Sequence, residues 1–212
     1  MLDADKQVRR TAILDAAQKL LLDYDGELAS VDKVAKQARL AKGTVYLYFK
    51  TKEEIYLAVH ELRSHEFFDD LDALLARAGR KTSLRQITRA WLDCFARHPS
   101  YPVLASRCFD FEHKVDFDTL IAFRSGIARR LQSSGAQLEK VFPGMSAGEG
   151  AKLLMLSYAL TLGLWRLTEP TPHRERMLKD KSLHVFRLDF AADLESALIA
   201  LWRGALGNTK LT

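Results

Sequence analysis

Six cations lie between positions 33 and 52, at Lys33, Lys36, Arg39, Lys42, Lys50 and Lys52, with no acidic residue among them. Two tyrosines, Tyr46 and Tyr48, and a hydroxyl, Thr44, are interleaved with them. Ammonium and guanidinium groups neutralise phosphates, and tyrosine and threonine hydroxyls donate to phosphate oxygens, so this spacing suits a polyanionic surface. The net charge is only +5, and residues 1–60 carry ten basic against nine acidic side chains. The signal is therefore local clustering, which matters because attraction between exposed charges acts over about 10 Å.

Other chemistry is sparse. No phosphate loop, H-E-x-x-H, nucleophile–base pair or inward carboxylate pair occurs, so no catalytic residue and no enzyme is expected. Cys94 and His98 stand four apart, and Cys108 lies five before His113. This spacing lacks a tight ligand signature, and free cysteines are more often core fillers, so no metal or cofactor is expected. Asp110, Glu112 and His113 read as surface. Two mid-chain cysteines make no secreted disulfide framework, and MLDADKQVRR lacks an apolar signal core. The longest nearly apolar run, 153–164, has about twelve residues against the roughly 20 of a membrane span. A cytoplasmic protein without membrane contact is the expectation.

The elements that must position these groups are helical, since apolar residues recur at three and four and no alternating run reads as a strand. A first helix carries Val8, Ile13, Ala16, Ala17, Leu20 and Leu21 and stops at Tyr24-Asp25-Gly26. Ser30 caps a second bearing Val31, Val34, Ala35 and Ala38. A third covers Lys42 to Phe49, and Thr51 with Glu54 forms a capping box for a long fourth. Further helices are expected over 84–97, 101–112, 117–134, 147–168 and 183–206, with breaks at His98-Pro99 and Gly135. Ser146 and Glu149 form a second capping box, and 169–181 reads as a loop. The fold class is all-α with about nine helices: a helix-turn-helix head at 7–60, its motif at 30–49, and a body at 61–206.

On the third helix Val45 and Phe49 are i and i+4 and face inward, leaving Gly43, Tyr46 and Leu47 outward. Gly43 allows close backbone approach to a duplex. Lys42, Thr44, Tyr46, Tyr48 and Lys52 supply donors. Double-stranded DNA is the expected partner.

The segment from Arg9 to Val59 resembles the N-terminal domain of the tetracycline-repressor (TetR) family of bacterial transcription regulators. The likeness rests on ILDAA at 13–17, SVDKVA at 30–35, KGTVYLYF at 42–49 and KEEI at 52–55. It implies a recognition helix at 42–49 with DNA contacts at Lys42, Gly43, Thr44, Tyr46, Tyr48 and Lys52. Two departures stand out: Arg39 where the family usually has glycine in the turn, and Ala41 where it has a serine or threonine cap. Arg39 is itself a candidate phosphate contact.

The resemblance also implies a small-molecule effector in the middle of the chain, where seven of twenty aromatics fall between Trp91 and Phe123. Candidate pocket residues are Trp91, Phe95, Leu104, Cys108, Phe111, Phe123 and Tyr158, suited to an apolar or aromatic ligand. Small residues Ser157, Ala159 and Gly163 in 147–168, and Phe186, Phe190, Leu194, Leu198, Leu201 and Trp202 in 183–206, suggest more apolar surface than one body buries. A homodimer through these two segments follows, and with it a palindromic operator. The expected function is a repressor released from that operator by its effector; an all-helical carrier or enzyme for a hydrophobic small molecule is the alternative.

Overall fold

A computed structural model describes residues 3–23 and 26–207, apart from the side chains of Asp3 and Glu112. The described residues form ten α-helices and two short 3-10 turns, with no strand. In chain order they are α1 (Asp3–Asp23), α2 (Val31–Gln37), α3 (Lys42–Tyr46), α4 (Lys52–Ala78), α5 (Leu84–Arg97), α6 (Ser100–Glu112), α7 (Phe117–Val141), α8 (Glu149–Thr168), α9 (Pro172–Met177) and α10 (Phe190–Leu206). The 3-10 turns are Gly79–Lys81 and Lys181–Phe186. They make two compact units, residues 1–66 with 98–128 and residues 67–97 with 129–212.

In unit 1, α1 to α3 close on the start of α4 around Ile13, Ala17, Leu21, Val34, Val45, Ile55 and Val59. Val8, expected on the buried stripe of α1, is 69% exposed, and Tyr24 and Asp25, expected to end that helix, lie outside the described residues. The Tyr56 hydroxyl accepts a hydrogen bond from Ala29 N at 3.0 Å, fixing the entry to α2 on α4. Burial pushes the Tyr56 hydroxyl up to about 12, so it stays neutral. Gly26 has φ +84, and a Cβ there would stand 2.5 Å from Val103 Cγ1 on α6. Both the backbone region and the close approach require glycine.

In unit 2, α8 packs on α10 and α5. Trp202 Nε1 donates to Ser157 Oγ and Trp91 Nε1 to Thr161 Oγ1, each at 2.9 Å. Gly135 does not break α7, which continues to Val141. A Cβ at Gly135 would stand 2.4 Å from Ala151 N, and one at Gly150 would stand 2.2 Å from the Gly135 carbonyl oxygen. The glycine is there for helix contact rather than for termination. The Ser146–Glu149 box is half formed: Glu149 Oε2 accepts from Ser146 N at 2.6 Å, and the helix starts at Glu149 behind a left-handed Gly148. The loop at 169–181 contains α9, capped by Thr171. The last helix begins at Phe190, not 183, because Asp189 caps it by accepting from Ala192 N at 2.8 Å.

The apolar surface of these helices divides differently from expectation. Leu194, Leu198 and Trp202 are buried within unit 2. The outward stripe of α8 is instead Met155, Leu156 and Leu167, at 44, 45 and 58% exposure, running beside exposed Ala159 and Gly163. On α10 the exposed positions Ala192, Ser196, Ala200 and Gly204 recur every four residues.

Candidate nucleic-acid interface

The helix-turn-helix is built by local rules. Ser30 caps α2 by accepting from Lys33 N at 3.3 Å. At its other end Arg39 N donates to Lys36 O at 3.1 Å and Leu40 N to Ala35 O at 2.9 Å. This pair of bonds is a Schellman closure, whose pivot must be left-handed, and Arg39 occupies it at φ 57. It is the one described non-glycine residue with positive φ. Ala41 then opens α3 with no side-chain cap bond.

Helix α3 is shorter than expected, ending at Tyr46. Leu47 N to Thr44 O and Tyr48 N to Val45 O then continue as a tight turn toward α4. Thr51 and Glu54 cap that helix. Glu54 N donates to Thr51 Oγ1 at 3.1 Å, while its carboxylate accepts from Lys50 N at 2.7 Å rather than from Thr51.

Val45 is fully buried and Phe49 is 6% exposed, while Tyr46 is 47% and Leu47 76% exposed. Lys42 and Gly43 are exposed beside them, and a Cβ at Gly43 would meet nothing within 4 Å. Lys42, Gly43, Tyr46 and Leu47 therefore share one open face, with Thr44 half-buried. Lys52 is half-buried at the start of α4. Tyr48 differs: its ring packs on the head's core and its hydroxyl is buried without a hydrogen-bond partner among the described residues.

Lys36 and Lys50 are paired with carboxylates. Lys36 Nζ lies 2.9 Å from Asp32, one turn before it. Lys50 Nζ lies 2.9 Å from Asp116, at the start of α7. Asp116 also accepts from Thr119 N at 2.8 Å, and this bond and then Lys50 hold its carboxyl down at about 2. Nothing in the local pattern at 33–52 points to Asp116, since the contact is set by tertiary packing. Arg39 and Lys42 make no ion pair among the described residues.

The seven candidate pocket residues do not form one cluster within either unit. Leu104, Cys108, Phe111 and Phe123 are buried in unit 1 and continue the core of the head. Trp91, Phe95 and Tyr158 belong to unit 2, where Trp91 meets Phe67 edge-on at 4.5 Å and Phe95 meets Phe190 at 6.1 Å. Unit 1 also buries a polar group that sequence reasoning missed. The His60 ring lies tilted 5.4 Å from Tyr101 and edge-on 5.5 Å from Phe123, and its Nδ1 lies 3.4 Å from Ser64 Oγ. Burial, then the nearby Arg124, lowers it to about 3, so the ring is neutral. Both cysteines are buried, and neither forms a disulfide. Among the described residues no three His, Cys, Asp or Glu side chains converge as metal ligands, and no helix is long and apolar enough to cross a membrane. Asp110 and His113 are exposed; the side chain of Glu112 lies outside the described residues.

Comparison with known proteins gives consistent matches. Residues 13–59 fit the family described as bacterial regulatory proteins, tetR family, and residues 62–209 the one described as tetracyclin repressor-like, C-terminal domain. The fatty acid metabolism regulator protein of Bacillus subtilis (strain 168) is 34% identical over 67 residues, 32% of this chain and 34% of that protein. The HTH-type transcriptional activator FasR of Mycolicibacterium smegmatis is 35% identical over 88 residues, 41% of this chain and 38% of that protein. These matches span little more than a third of either relative. The crystal structure of the transcriptional regulator FadR from Bacillus subtilis, in complex with stearoyl-CoA, superposes with a TM-score of 0.57. It is 19% identical and the match covers 90% of this chain and 96% of that one. At that identity the likeness is one of fold.

Proposed function

This chain belongs to the tetracycline-repressor family of bacterial regulatory proteins, and from that premise we propose that it is a cytoplasmic, homodimeric repressor, released from a palindromic operator by a small, largely apolar effector. The observation that carries the DNA-binding half is the open face of α3. Lys42, Gly43, Tyr46 and Leu47 stand outward while Val45 and Phe49 anchor the helix from behind. Leu47 and the Tyr46 ring are placed to touch base edges, including thymine methyls, and Lys42, Thr44, Lys52 and Arg39 to meet phosphates. Tyr48 joins this set when its unpaired hydroxyl turns to a phosphate oxygen, which relieves the cost of a buried unsatisfied group.

We assign DNA reading to residues 7–60 and effector binding and dimerisation to 61–206. The exposed stripe of Met155, Leu156 and Leu167 with Ala159 and Gly163, and the small-residue line on α10, support pairing of α8 and α10 with their copies in a four-helix bundle. Two-fold symmetry then sets the heads about 34 Å apart, or a small multiple, on successive major grooves. For the effector, the stearoyl-CoA held by the FadR relative favours a fatty-acyl compound, with Leu104, Cys108, Phe111 and Phe123 as the candidate contacts in unit 1 and Trp91, Phe95 and Tyr158 as those in unit 2. The relatives are regulators, and we assign no catalysis to this chain.

The test is selection of bound duplexes from a genomic pool, repeated with stearoyl-CoA and with free stearate. Enrichment of a palindrome that is lost on adding either ligand supports both halves of the proposal. Enrichment unaffected by either removes the fatty-acyl effector, and no enrichment removes the repressor.

A further inference from the structure

Unit 2 contains a cleft of about 860 Å³ walled by residues 80–85, residues 141–144 and the end of α10. Five of its lining residues, Leu84, Val141, Phe142, Ile199 and Leu206, are apolar. Four exposed cations, Arg80, Lys81, Arg85 and Arg203, also line it, with no aspartate or glutamate among the lining residues. Elsewhere in this unit Arg89 pairs with Asp93, Arg97 with Asp70, and Arg130 with Asp69 and Asp72. Among the described residues the four of the cleft have no ion pair.

Like charges converging on one cleft repel each other, and their fields add toward an incoming anion. Three of them are guanidinium forks, which match the paired oxygens of phosphates. Four unmatched cations suit an anion of several charges better than a single carboxylate. The apolar lining residues, the Phe142 ring among them, offer contact to a planar or hydrophobic group. The volume lies within the range of small-molecule sites, about 300–1,000 Å³.

We propose that this cleft binds an organic di- or triphosphate, with its phosphates on Arg80, Lys81, Arg85 and Arg203 and its planar or apolar part against Phe142 and Leu206. The site is independent of the DNA-reading proposal, because none of the eight DNA-facing candidates and none of the seven pocket candidates lines it.

Isothermal titration of the full chain at physiological salt with ADP, adenosine and inorganic pyrophosphate tests it. ADP should bind saturably, adenosine should not, and pyrophosphate should bind more weakly than ADP. Each of Arg80→Gln and Arg203→Gln should weaken ADP about tenfold, the cost of one charged hydrogen bond. Both residues are exposed, so the variants should keep the wild-type circular dichroism and melting temperature. Phe142→Leu should weaken ADP but leave pyrophosphate unchanged. Equal binding of ADP and adenosine, absence of ADP binding at millimolar concentration, or unaltered ADP affinity in both arginine variants would overturn the proposal.

Discussion

Replacing Arg39 with glycine should move fold stability and DNA affinity in opposite directions. Arg39 holds φ 57 as the pivot of the Schellman closure after α2. A side chain in the left-handed region costs about 1–2 kcal/mol, while glycine adds roughly 0.5–1 kcal/mol of backbone entropy to be lost on folding. The net expectation is stabilisation by up to about 1.5 kcal/mol, a rise of up to about 3–6 °C for a chain of this size. The same change removes a guanidinium exposed beside α3. If it meets a phosphate, each protomer loses about 1 kcal/mol, so a dimer loses about 2 kcal/mol and binds its operator about thirtyfold more weakly. The slope of log K against log salt should flatten by about 0.9 per lost contact, or about 1.8 for the dimer. Differential scanning calorimetry and fluorescence anisotropy at several salt concentrations read the two effects. An unchanged salt slope refutes the phosphate contact, and a lower melting temperature refutes the strain argument.

Other expectations follow from the same contacts. Ala41→Ser should give α3 the side-chain cap it lacks, accepting from Thr44 N, and raise stability by about 1 kcal/mol in urea unfolding; an unchanged midpoint contradicts this. His60 is held neutral with its pKa lowered to about 3, so unfolding takes up a proton between there and the ordinary value near 6.5. Stability is therefore complete above that upper value and falls as pH drops, by up to about 1.4 kcal/mol per pH unit. His60→Asn should remove that slope between pH 6.5 and 4, and an identical slope in the variant rules out His60 as its source. Gly135→Ala should destabilise by about 2 kcal/mol or more, because its Cβ would fall 2.4 Å from Ala151 N. A neutral effect in thermal unfolding would mean that α7 and α8 separate freely.

What could be read in the sequence was what neighbours in the chain decide. Val45 and Phe49 turn inward because they are four apart on a helix, and Arg39 takes the left-handed position because the turn after α2 demands one whatever residue stands there. Distant partners were not legible. Asp116 reaches Lys50 across 66 positions, so the six-cation cluster looked barer than it is. Gly135 read as a break because glycine usually punctuates helices, yet its role is set by Gly150 and Ala151 on another helix. Leu194 and Leu198 looked available for a partner copy, but they are already buried within unit 2, leaving the exposed stripe to Met155, Leu156 and Leu167. The pocket candidates were grouped by aromatic content, which carries no information on which unit each residue joins.

DNA reading by α3 as one half of a symmetric pair is the proposal that joins these predictions. Its most direct measurement is an anisotropy titration of the chain against a duplex recovered from genomic selection, with wild type beside Tyr46→Ala and Leu47→Ala. Saturation at an even number of protomers per duplex, a steep salt dependence and a loss of about tenfold or more in each variant are predicted. Equal affinity for the selected duplex and for unrelated DNA, undisturbed by either substitution, would contradict it.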